Sequence, residues 1–192
     1  MTRIILASQS PRRQQMLTEA GLIYEVITHD TDESFPLNLP VSDIAQYIAH
    51  QKALAVQHHL NRSNDIIISA DTIVALGTTL FGKPTSFEEA TMFLSSLSGK
   101  EHQVITGVCL LSKNKIRIFH SITTVEFYEL TEEQISHYIQ TYQPYDKAGG
   151  YAIQEWIGLV GMKKITGCYF NVVGLPVSTL LRELTLFNQA EL

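Results

Sequence analysis

The run Ile66-Ile67-Ile68-Ser69-Ala70-Asp71-Thr72-Ile73-Val74-Ala75 constrains this chain more than any other segment. Its apolar residues are nearly continuous and β-branched, so it reads as a strand buried on both faces. Such a strand belongs in the interior of a sheet that helices cover. One position breaks the pattern. Asp71 has only apolar or small close neighbours along the strand, and an unpaired carboxylate there is costly. It must meet a cation, a metal or several hydrogen-bond donors. A buried ion pair with a lysine or arginine satisfies that demand, and so does a catalytic or metal-binding role.

The other elements fit an α/β fold with a mixed sheet. Ile4 to Ala7 is a short buried strand, followed by a helix that ends at Gly21. Leu22 to Thr28 reads as a strand and His29 to Pro40 as an irregular loop. Apolar residues at 41, 44, 45, 48, 55 and 56 have the spacing of an amphipathic helix over 41–60. Gly82-Lys83-Pro84 is a turn, and Phe87 to Leu97 a second helix. The runs Gln103–Leu111 and Ile116–Tyr128 form a hairpin. Thr131, with Gln134 three residues on, starts a helix ending near Tyr142. A glycine-rich stretch over 149–161, a strand near Tyr169 to Val173 and a helix from Pro176 to about Phe187 complete the chain.

The first strand leads into Ser8-Gln9-Ser10-Pro11-Arg12-Arg13. Ser10 suits an N-cap, and Pro11 suits the first helical position, where its missing N–H costs nothing. Arg12 and Arg13 then sit at the positive end of the helix dipole, where acidic side chains are favoured. A strand, a tight turn, a helix N-terminus and two such cations describe an anion site, phosphate above all. A surface turn with solvated arginines has the same sequence, and this motif alone does not choose.

Counting by fours from Ile44 through Ile48 reaches Lys52, which therefore lies on the apolar stripe of its helix. A lysine there snorkels at the rim of the core or points into a cleft toward phosphate. Basic residues number only 14, yet Arg12, Arg13, Lys52, Lys83 and Lys147 all fall in motif-like segments. Lys83 is mounted in a rigid Gly-Lys-Pro turn. Lys147 precedes Gly149-Gly150, which either shapes a turn or lets backbone approach a ligand. Glu33 offers carboxylate oxygens of the kind that Mg²⁺ bound to phosphates uses, while Asp30 and Asp32 also read as a solvated acidic loop. Together these residues describe a site for a triphosphate and a divalent metal. Asp71 would position or deprotonate a water there.

The net charge of −5 argues against a nucleic-acid or anionic-membrane partner. No apolar stretch approaches the ~18 residues of a membrane span, and no signal-peptide pattern opens the chain. Cys109 and Cys168 have no metal-ligand spacing and read as reduced thiols. A cytoplasmic protein is expected.

Over nearly its whole length the sequence resembles the Maf family of nucleoside triphosphate pyrophosphatases. The resemblance is carried by Leu6 to Arg13, Asp32-Glu33, Lys52-Ala53, Ala70 to Val74, Gly82-Lys83-Pro84, Leu97-Ser98-Gly99 and His102. It continues through Thr106-Gly107-Val108, Asp146 to Tyr151, Ile153-Gln154, Gly167, Tyr169 and Asn171 to Pro176. It implies a single domain over residues 1–192, with a mixed twisted sheet in two lobes around a central cleft, related to inosine triphosphatase. It implies hydrolysis between the α and β phosphates with a divalent metal, Mg²⁺ or Mn²⁺, and a homodimer. By position, Asp71 resembles the proton acceptor. Ser8, Arg13, Lys52 and Lys83 resemble phosphate-site residues, and Glu33 resembles the metal-side acid. Arg12, Thr72 and Gln154 resemble the set that marks the dTTP/UTP branch, as against the branch acting on methylated GTP. Lys147 joins the substrate-binding residues. A nucleotide-binding regulator of division with little turnover is the rival of another class. Two residues depart from the family pattern: Gln51 and Glu155 stand where glutamate and glycine are usual.

Overall fold

The computed structural model describes residues 3–60 and 65–189. Its strands are β1 (Arg3–Leu6), β2 (Glu25–Val26), β3 (Asp65–Leu76), β4 (Thr79–Phe81), β5 (Glu101–Leu111), β6 (Ile116–Phe127) and β7 (Met162–Thr166). Its helices are α1 (Pro11–Glu19), α2 (Val41–Gln57), α3 (Phe87–Leu97), α4 (Glu132–Tyr142), α5 (Trp156–Val160), α6 (Tyr169–Val173) and α7 (Val177–Gln189). The strand order is β2-β1-β3-β5-β6-β7, with β4 paired to β3. β1 runs parallel to β2 and β3, and β7 runs antiparallel to β6, so the sheet is mixed. Residues cluster into two compact units. Among the described residues, the first holds 3–60, 65–71, 106–121 and 174–189, and the second holds 72–105 and 122–173.

In the first unit, α2 lies on the sheet at very close range, and small residues permit it. Ala45, Ala49 and Ala53 are fully buried on its inner face. Opposite them stand Ser69 of β3, whose hydroxyl donates to the Ala49 carbonyl at 2.6 Å, and Gly107 of β5. A Cβ at Gly107 would sit 2.3 Å from the Ala45 carbonyl carbon and the Gln46 nitrogen, so only glycine fits there. Ile5, Ala7, Val56, Ile67, Cys109 and Leu111 complete this core. Residues 67, 69 and 71 share one face of β3 because side chains alternate along a strand. The helix that packs on Ser69 through Ala49 therefore brings Lys52, one turn further on, to Asp71.

The second unit packs α3 and α4 around Val74, Phe81, Phe93, Leu94, Val104, Phe127, Ile135, Tyr138 and Tyr151. Thr131 and Gln134 form the expected reciprocal cap at the start of α4, each side chain bonding the other's backbone N–H. β3 is buried along most of its length, as its composition requires.

Several expectations need correction. Ser10 occupies the N-cap position of α1, but its side chain makes no capping bond. Its N–H donates to Ser8 Oγ instead, at 3.3 Å. Of the strand expected over Leu22–Thr28, only Glu25–Val26 pairs with β1. The strand expected near Tyr169–Val173 is helix α6, and the strand of this region is β7. The N–H groups of Asn171 and Val172 both turn back to the Cys168 carbonyl. The buried Asn171 amide donates to the Val104 carbonyl and Thr123 Oγ1, each at 2.9 Å, and so locks the turn. Two adjacent valines supply too little β preference to resist this. Cys109 is a buried free thiol, whereas Cys168 is a half-buried one in the turn after β7. No helix among the described residues is long and apolar enough to cross a membrane.

Candidate active site

The first unit gathers most of the expected site residues. Lys52 Nζ donates to Asp71 Oδ1 at 2.6 Å and lies 2.7 Å from Glu33 Oε1. The Lys52 and Asp71 side chains are only 18% and 13% exposed, so this ion pair is poorly screened, while Glu33 is about half exposed. The demand that Asp71 places on its surroundings is thus met by the lysine on the apolar stripe of α2. One ammonium holds two carboxylates.

Ser8 and Arg13 are fixed to each other beside β1. The Ala7 N–H donates to the Ile68 carbonyl at 2.8 Å, which continues the β1–β3 register past Leu6. Ser8 is buried, and its Oγ accepts from Arg13 Nη1 at 3.2 Å. Arg13 Nε donates to the Gly174 carbonyl at 2.9 Å, which sets the plane of the guanidinium. Burial pulls the Arg13 pKa down, and the Asp71 and Glu33 carboxylates oppose that shift. Both acids of the lysine cluster therefore act on Arg13. Arg12 is half-buried one residue earlier, and its charge also lowers the Arg13 pKa. Asp30 and Asp32 are exposed, and Asp32 is engaged by the backbone and hydroxyl of Ser34.

The second unit carries Thr72, Lys83, Lys147 and Gln154. Thr72 is half-buried, directly after Asp71 on β3, and Lys83 is exposed. The loops bearing Lys83 and Lys147 are tied together, since the Gly149 N–H donates to the Gly82 carbonyl at 2.9 Å. Gly149 has φ +72°, and a Cβ there would sit 2.9 Å from Val74 Cγ2, so close approach and backbone both require glycine. Lys147 is buried and meets Asp146 at 2.7 Å and Glu155 at 3.2 Å. Gln154 is exposed in the turn before α5. Sequence reasoning missed one participant here, Tyr138. It lies on the buried face of α4 and donates to Glu155, and Glu155 itself reaches Lys147. Glu155 was visible only as a departure from the family pattern.

Among the described residues, no three His, Cys, Asp or Glu side chains come together as a metal cage. The Asp71 and Glu33 carboxylates are nonetheless a fitting donor set for Mg²⁺, which takes one or two carboxylates together with substrate phosphate oxygens.

The profile of the family described as Maf-like protein matches residues 3–187. The chain belongs to the Maf family. A dTTP/UTP pyrophosphatase from Phocaeicola vulgatus is 49% identical over 183 residues, 95% of this chain and 94% of that relative. One from Cytophaga hutchinsonii is 48% identical over 188 residues, 97% of this chain and 85% of the relative. The solved structure of a HAM1 protein from Coxiella burnetii has a TM-score of 0.52 at 17% identity, over 95% of this Maf-family chain and 100% of that one. That likeness concerns the fold alone.

Proposed function

We propose that the protein hydrolyses dTTP and UTP to the nucleoside monophosphate and pyrophosphate. The observation that carries this reading is the Lys52 ammonium bridging Asp71, on an interior strand, and Glu33, in the loop before α2. The relatives named dTTP/UTP pyrophosphatase support it.

In the proposed reaction Asp71 accepts a proton from the attacking water, which its carboxylate orients. Lys52 holds the Asp71 carboxylate in place through its 2.6 Å contact. Ser8, Arg12, Arg13 and Lys83 bind phosphate oxygens and stabilise the charge that develops on them. Glu33 and Asp71 would hold a divalent cation, which supplies further neutralisation of the phosphate oxygens. Thr72 and Gln154 belong to the base side. The Gln154 amide offers one acceptor and two donors, which suits the carbonyl and N3–H edge of thymine or uracil. Lys147 serves the substrate through the loop it anchors. The cytoplasm, where nucleoside triphosphates are available, and a homodimeric state complete the proposal.

Product analysis tests the bond. Turnover of dTTP by the purified protein should release dTMP and pyrophosphate, with no orthophosphate until a separate pyrophosphatase is added. Direct appearance of dTDP would contradict the reading.

A further inference from the structure

The turn that carries Gln154 is stapled at both ends by one tyrosine. Tyr138 is fully buried on α4. Its hydroxyl accepts from the Ala152 N–H at 3.1 Å, where the turn begins, and donates to the Glu155 carboxylate, where it ends. The turn closes on itself through the Glu155 N–H to the Ala152 carbonyl at 3.1 Å. The other oxygen of Glu155 meets Lys147, whose side chain is 9% exposed and also held by Asp146. Ile153 and Ile157 anchor the flanks in the core, and a Cβ at Gly158 would collide with the Ile153 carbonyl. Every neighbour of Gln154 in this segment is thus pinned, while Gln154 itself is exposed.

From this we infer that Tyr138, Glu155 and Lys147 form a clasp that presents Gln154 to the base in one geometry. Glu155 is then a positioning residue for base selection, and Lys147 acts through it. The inference rests on the proposed reading of Gln154 as a base contact. A carboxylate held by a tyrosine hydroxyl and an ammonium has little freedom, and a hydrogen-bonding side chain discriminates only as well as it is held. Glycine at position 155, usual in the family, would leave this clasp without its centre.

The test uses the full chain with Glu155→Gln, Tyr138→Phe and the double variant, and compares kcat/KM for dTTP and ATP. Each single variant should lower the dTTP-to-ATP ratio at least fivefold, mainly through the KM for dTTP, with the same bond cleaved. The double variant should lower it no further than the worse single one, because both act through one clasp. Equal losses on both nucleotides, or an unchanged ratio, would overturn the inference. So would failure of both single variants to fold, which would make the cluster purely structural. Failure of the underlying reading is seen separately, in a wild-type protein with no preference for dTTP or UTP.

Discussion

Lys52 and Asp71 are joined at 2.6 Å across the interface between α2 and β3, and both side chains are largely buried. The pair follows from helix geometry and from the small residues beneath it. Ala49 packs on Ser69, so the next turn of the helix reaches the next inward position of the strand. An ion pair in such a place contributes little to stability compared with apolar residues of similar volume, because desolvation offsets most of the attraction. Under the proposed function, its place on an interior strand serves the chemistry at Asp71.

Asp71→Asn should therefore lower kcat by at least ~10²-fold, the low end for the loss of a general base. The fold should survive, since the amide is nearly isosteric and still accepts from Lys52. Steady-state kinetics alongside circular dichroism would show this. A variant with near-normal turnover, or one that unfolds, would assign Asp71 to structure alone.

Gly107→Ala should destabilise the protein by roughly 1–3 kcal/mol, the usual cost of forcing extra volume into a packed interior. The new methyl group meets backbone atoms of Ala45 and Gln46 at 2.3 Å, and backbone cannot rotate away. Because α2 also carries Lys52, activity should fall with stability. Urea unfolding that matches the wild type would show that α2 seats itself otherwise.

His102 makes folding stability depend on pH. It is buried against Phe127 and shares a hydrogen bond of 2.7 Å with the Tyr151 hydroxyl. Burial pushes its pKa down to about 4 from an ordinary value of 6.5. Between those values the unfolded chain holds a proton that the folded one refuses, so stability present above pH 6.5 is lost as pH falls toward 4. The slope in that window is about 1.4 kcal/mol per pH unit at most. Denaturation of wild type and His102→Gln at pH 7 and pH 4.5 should show a smaller pH-induced loss in the variant. Equal losses would place the acid sensitivity elsewhere.

Much of this molecule could be read before the structure was known, where local signals agreed with the fold. The apolar run around Asp71 required an interior strand, and the Thr131–Gln134 spacing required the start of α4. Lys52 on an apolar stripe and Asp71 in an apolar strand each needed a partner, and each is the other's. What failed was what tertiary contacts decide. Tyr169–Val173 is helical because the Asn171 amide and the Cys168 carbonyl organise it, and neither is visible as periodicity. α5 was hidden in a glycine-rich stretch whose glycines serve close packing at Gly158 and Gly161, not loop freedom. Nothing in the sequence of α4 indicates that the Tyr138 hydroxyl meets residues 152 and 155.

The central claim, a pyrophosphatase selective for thymine and uracil nucleotides, is tested most directly by kcat/KM across dTTP, UTP, CTP, ATP, GTP and 7-methyl-GTP with Mg²⁺ or Mn²⁺ present. Losing a matched hydrogen-bond partner to the base costs roughly 1–3 kcal/mol, so dTTP and UTP should lead ATP by about 5- to 150-fold. Gln154→Ala should narrow that lead while leaving pyrophosphate as the product. A preference for 7-methyl-GTP, or no turnover of any nucleotide by a folded protein, would contradict the account.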